Sequence, residues 1–210
     1  MKMAAFLSAF RHKWFLAGVL LAFLLALSAC QSTQFLWQAA RGQWQIVASG
    51  KPLQEVISDP ATAPEIVSQL QFVQLVKDYA ERQLHLPTNS SYEKFVDLKR
   101  RFVVWNLFVT PELAMTNETW CYPIAGCVAY QGYFDEQAAL DAAQQWQQKN
   151  FDTYIGGVTA YSTLGWFNDP VLNTFLFYNP VSLAGLLFHE LAHAQLYVRN
   201  DTTFNESWAT

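Results

Sequence analysis

The sequence predicts an α+β fold, and three observations carry that expectation. Apolar residues recur at helical spacing through the N-terminal half, and runs of β-branched and aromatic residues after it mark a small mixed sheet with a crossing helix. A last helix, apolar almost all round, reads as buried. Of 210 residues, 52% are hydrophobic and 14% charged, against about 25% charged in an ordinary soluble domain. This length suits one domain with an anchor better than two domains.

At the N-terminus Lys2, Arg11 and Lys13 precede an apolar run from Trp14 to Leu27 that ends in "LSAC". The run falls short of the ~20 residues a spanning helix needs, and polar "QSTQ" follows. Leu27, Ser28 and Ala29 before Cys30 resemble a bacterial lipobox. Residues 1–29 are therefore expected to be removed as a lipoprotein signal peptide, with Cys30 lipidated and residues 30–210 forming the domain. An uncleaved anchor is the alternative. Either way the domain lies at a membrane on its outer side, in the bacterial cell envelope facing the periplasm. Gln31 slightly favours the outer membrane. Removing residues 1–29 takes three of the 13 basic residues and none of the 17 acidic ones, so 10 against 17 leaves a net charge of −7. An acidic body of this kind argues against nucleic acid as a partner. Oligomeric state has no signature in the sequence.

The elements follow in order. "QFLWQAARGQWQIV" spaces Leu36, Trp37, Ala40, Trp44 and Val47 as an amphipathic helix. With Arg41 as its one cation, packing on the domain is a better fate for it than lying on a membrane. Pro64 starts a long helix to about Leu84, with Ile66, Leu70, Val73, Val76 and Ala80 in period. Tyr92 to Leu98 is expected to be a short helix. "RFVVWNLFVT" and "CVAYQGYF" read as strands. "DEQAALDAAQQWQQKN" between them and the next strand is a surface helix capped by Asp135. "FDTYIGGVTAYSTLGWF" is a strand or strand pair in which Gly156 and Gly157 mark a bulge or a close backbone approach. It is either an edge that a peptide joins as an added strand or an internal strand. Cys121 and Cys127, separated by a turn-forming "YPIAG", are expected to pair as a local disulfide in an oxidising compartment.

Asn179 and Pro180 open a helix expected to run from about Val181 to Arg199. On it His189, Glu190 and His193 form an HExxH pattern. Two histidines one turn apart can meet a single ion, while Glu190, about 100° further round, suits a carboxylate that accepts a proton from water at the metal. An accidental match to three fixed positions in a chain of this size is rare, and a glutamate on a buried helix calls for a cation. A catalytic zinc needs a third protein ligand. Glu206 is favoured, on a second helix expected to start with Asn205 as cap; Asp201 is the rival third ligand, or else a partner that orients one histidine. This donor set points to hydrolysis of peptides by metal-activated water, with Glu190 as the base and Tyr154, Tyr161 or Tyr197 as candidate oxyanion donors.

"CYPIAGCVAYQGYF", "GGVTAYSTLGWFNDPVL", "FHELAHAQLYV" and "DTTFNES" together resemble a family of bacterial predicted aminopeptidases, lipid-anchored or periplasmic zincins with a glutamate ligand. The resemblance runs from about Gln34 to the end. It implies zinc held by His189, His193 and Glu206, with Glu190 catalytic and peptides as substrate. It also implies a C-terminal truncation, because family members continue well beyond the motif around Glu206. Two other readings stay open: an endopeptidase, and a non-catalytic membrane-anchored lipoprotein or inactive fragment.

Overall fold

The computed structural model describes residues 35–122, 126–163 and 167–210. The expected signal peptide and Cys30 lie outside them. The chain divides at Ala40 into two units. Residues 35–49 are helical, α1, and the account below concerns the second unit, Arg41–Thr210. No helix among the described residues is long and apolar enough to cross a membrane.

The α+β class holds, with strands in three groups rather than one small sheet. The first sheet joins β1 (Lys51–Pro52), β2 (Lys94–Val96) and β8 (Val171–Leu172), antiparallel between β1 and β2 and parallel between β2 and β8. The second has the order β6-β3-β7, where β3 is Val104–Pro111, β6 Gln131–Tyr133 and β7 Phe151–Val158, all pairs antiparallel. A hairpin of β4 (Trp120–Tyr122) and β5 (Gly126–Val128) stands apart. The helices are α2 (Leu53–Ser58), α3 (Pro64–Arg82), α4 (Glu136–Gln147), α5 (Asn173–Leu176), α6 (Pro180–Gln195) and α7 (Thr202–Ala209).

Two expectations change here. Tyr92 to Leu98 is not a helix, because Lys94–Val96 is claimed as β2 between two partner strands that bury Phe95 and Val96. Tertiary pairing outweighs local preference for a segment this short. "CVAYQGYF" is not one strand either. It changes partner after Val128, giving β5 to the hairpin and β6 to the second sheet.

The remaining elements follow the pattern of the sequence. Helix α3 buries Leu70, Val73, Val76 and Ala80 along one stripe. The Asp135 carboxylate caps α4 by accepting from the Ala138 N–H at 2.8 Å. That helix crosses from β6 to β7, the two outer strands of its sheet. The glycine pair in β7 sits in unbroken register with β3, Gly157 opposite Trp105 and Gly156 opposite Asn106, so it forms no bulge. A Cβ at Gly157 would stand 2.4 Å from the Phe102 ring, and glycine is what lets that ring lie on the strand. Of the two readings of this strand, the sheet order makes β7 an edge among the described residues.

The core gathers Ile46, Leu70, Val73, Phe95, Val171 and Phe175 with one face of α6, where Leu183, Leu187 and Leu191 are 0 to 2% exposed. Packing of this kind fixes α6 to better than the reach of a side chain, and α6 carries the histidines.

Candidate metal centre

Helix α6 begins as its sequence dictates. Asn179 Oδ1 accepts from the Ser182 N–H at 3.0 Å, and Pro180 occupies the first turn, where a missing N–H costs nothing. The helix stops at Gln195, four residues earlier than expected, because Leu196 takes an extended backbone (φ −146°, ψ 122°). Asn205 explains the stop. Its buried side chain accepts from the Val198 N–H and donates to the Val198 carbonyl, both at 2.8 Å, satisfying backbone groups that the helix would otherwise have paired. Asp201 supplies the cap expected of Asn205, accepting from the Phe204 N–H at 3.0 Å. The connection is braced from outside by Asn200, whose Oδ1 accepts from the Cys127 N–H at 2.9 Å. Cys121 and Cys127 are disulfide-bonded within that hairpin. Gly126 has φ +77°, and a Cβ there would stand 2.3 Å from Asn200 Oδ1. Only glycine suits both the backbone angle and the contact.

The return of the chain brings Glu206 back to the histidines. His189 Nε2 and His193 Nε2 are 3.0 Å apart. Glu206 Oε2 lies 3.3 Å from the first, and Glu206 Oε1 3.8 Å from the second. Tetrahedral ligands at 2.0–2.1 Å from zinc stand about 3.3 Å from one another, so these separations fit one ion among three donors. Among the described residues, His189, His193 and Glu206 form a group that can hold a metal. Asp201, the rival ligand, is spent on the helix cap instead. Two imidazole nitrogens and a carboxylate make an electron-rich point that a cation satisfies. His193 titrates below the usual histidine range, because burial and the neighbouring His189 both oppose its charge, while Glu206 works the other way. A neutral imidazole is the form that binds metal. Its Nδ1 is buried without a hydrogen-bond partner among the described residues.

Glu190 lines a small cavity together with Tyr92, Tyr161, Asp169, Leu186 and Leu187. Burial pushes its carboxyl up to about 7, and the negative charges of Asp169 and Glu206 add to the effect. A carboxyl poised near neutrality both takes and returns protons efficiently.

The tyrosine candidates separate. Tyr197 is at the site, its ring centroid 6.4 Å from that of His193. Tyr161 lines the Glu190 cavity and donates to Gln43 Oε1. Tyr154 is exposed on β7, stacked toward Phe108, and no contact joins it to the histidines among the described residues. Gly156 and Gly157 belong to the same strand. Three residues escaped the sequence reading: Tyr130, Tyr92 and Asp169. Tyr130 feels the charges of Tyr197 and Glu206, and burial raises its pKa so that it stays a donor. Asp169 had a signal in the sequence, since it is the one charged residue between Thr153 and Phe188. Tyr92 had none, being one aromatic among 33.

No curated protein and no solved structure matches the chain. The family described as "Putative aminopeptidase" matches residues 34–210, which takes in every element from α1 to α7, and the chain belongs to that family.

Proposed function

We propose that the chain is a zinc-dependent peptidase, an aminopeptidase held at the periplasmic face of the cell envelope through a lipid on Cys30. The convergence of His189, His193 and Glu206 on one point, with Glu190 beside it, carries the reading. Zinc bound there supplies Lewis acidity to the scissile carbonyl and the attacking water. Glu190, held near neutrality by burial, takes the proton of the attacking water and returns it to the leaving amine. Tyr197 and Tyr130 stand on the Glu206 side as donors to the developing oxyanion, which gains most from groups already aimed at it. The edge that β7 forms among the described residues can align an extended peptide by main-chain hydrogen bonds.

The test uses the full chain, with zinc content and peptide hydrolysis measured together. One equivalent of zinc and turnover of peptide substrates are expected. Glu190→Gln should keep the metal and lose about 10²- to 10⁴-fold in kcat. Metal-free protein with undiminished turnover would refute the assignment.

A further inference from the structure

The cavity that Glu190 borders holds a second carboxylate that the hydrolytic chemistry leaves without a task. Asp169 is 8% exposed, and burial raises its pKa above the usual carboxylate range. Its oxygens accept from the Thr163 N–H at 3.0 Å and the Thr163 hydroxyl at 2.7 Å. No cation reaches it among the described residues. Arg100, which acts on neighbouring Tyr161, donates instead to the carbonyls of Phe134 and Val103 and lies over the Trp105 ring. Tyr92 lines the same cavity at 5% exposure. Buried carboxylates are ordinarily paired with a positive group. Asp169 and Tyr92 both line a cavity of about 10 Å³, the room one water-sized group needs.

We propose that Asp169, with the Tyr92 hydroxyl beside it, receives the free α-ammonium of a peptide substrate. The inference rests on the peptidase reading above and gives that site its preference for N-termini. An ammonium is close to water in size, carries the charge that Asp169 and Glu190 lack between them, and has three protons for the waiting acceptors. The position suits the chemistry. Glu190 borders the cavity and adjoins the metal ligands, and an α-nitrogen lies only about 2.5 Å from the carbonyl carbon of its own residue. An N-acylated chain brings a neutral amide and an acyl group, which the cavity refuses on charge and on size.

Asp169→Asn separates this role from a structural one. The asparagine Oδ1 can accept from the Thr163 N–H, and its amide can donate to the Thr163 hydroxyl, which then donates to the Phe167 carbonyl 3.1 Å away. The loop contacts survive and the charge goes. With the zinc-loaded full chain, hydrolysis of alanine p-nitroanilide is compared with that of its N-acetyl derivative. The wild type should favour the free amine by at least about 100-fold. Asp169→Asn should raise KM for the free amine about 10- to 100-fold at unchanged zinc content and melting temperature, and Tyr92→Phe should raise it about 3-fold. A wild-type preference that persists unaltered in both variants overturns the amine site and leaves the peptidase reading intact. Equal cleavage of the acetylated substrate overturns the amine site and makes the enzyme an endopeptidase. Should neither substrate be cleaved, the peptidase reading fails. Calorimetry with alaninamide against N-acetylalaninamide then decides the amine site alone, which stands only if the wild type binds the former and Asp169→Asn does not.

Discussion

Helix α6 buries Leu183, Leu187 and Leu191 in the core and holds two histidines as a by-product of that packing, whereas α7 buries Asn205 alone and leaves Glu206 58% exposed. Both helices serve one donor cluster. The first is held by apolar area, which is non-directional and large; the second is held by two hydrogen bonds to Val198, a cap at Asp201 and the contact of Asn200 with the disulfide hairpin. A short helix with so little buried surface is marginal on its own. The difference teaches that the histidine half of the site is set by folding, while the glutamate half gains its order from the polar clamp.

Three substitutions would sharpen or break that contrast, taken from the largest effect down. Leu187→Ala removes a side chain at 1% exposure and should cost about 2–5 kcal/mol. Thermal melting reads this as a large drop for the whole domain, with zinc affinity below the transition changed less than tenfold. Asn205→Ala leaves the Val198 N–H and carbonyl without partners, a local loss of about 1–3 kcal/mol. Chelator competition should show zinc affinity down about 10- to 100-fold, and hydrogen exchange should quicken across 196–209 while α6 stays protected. Were Asn205→Ala instead to lower the melting temperature as Leu187→Ala does, with zinc affinity untouched, α7 would belong to the core and the contrast would fall. Asp201→Ala deletes one cap, worth about 1 kcal/mol, and should weaken zinc by about fivefold, read by the same competition.

Legibility in the sequence follows the same divide. Periodicity reports on surfaces that face a core, so α3, α4 and β3 were readable nearly to their ends, and so was the start of α6 at Asn179 and Pro180. The end of α6 was not, because it depends on Asn205, a residue ten positions further on whose bonds to Val198 no local pattern announces. β2 was missed for a similar reason, since its partners Lys51 and Val171 are distant in the chain. At the site, fixed spacing on one helix made His189, Glu190 and His193 legible, and a short return made Glu206 so. Tyr130, Tyr92 and Asp169 lie on separate loops, and only the packed chain brings Tyr130 near Glu206 and Tyr92 and Asp169 to the Glu190 cavity.

The three donors span residues 189 to 206, whereas the bond that braces their connection joins Cys127 to Asn200 across 73 residues. Loop-closure entropy makes the shorter excursion cheaper by about 1 kcal/mol. The ligand set is thus a low-contact-order unit inside a domain whose sheets pair over long separations. In kinetic terms, His189, His193 and Glu206 can meet early and often in a partly folded chain, and a metal captured then would act as a staple on which the later, slower docking of the hairpin closes.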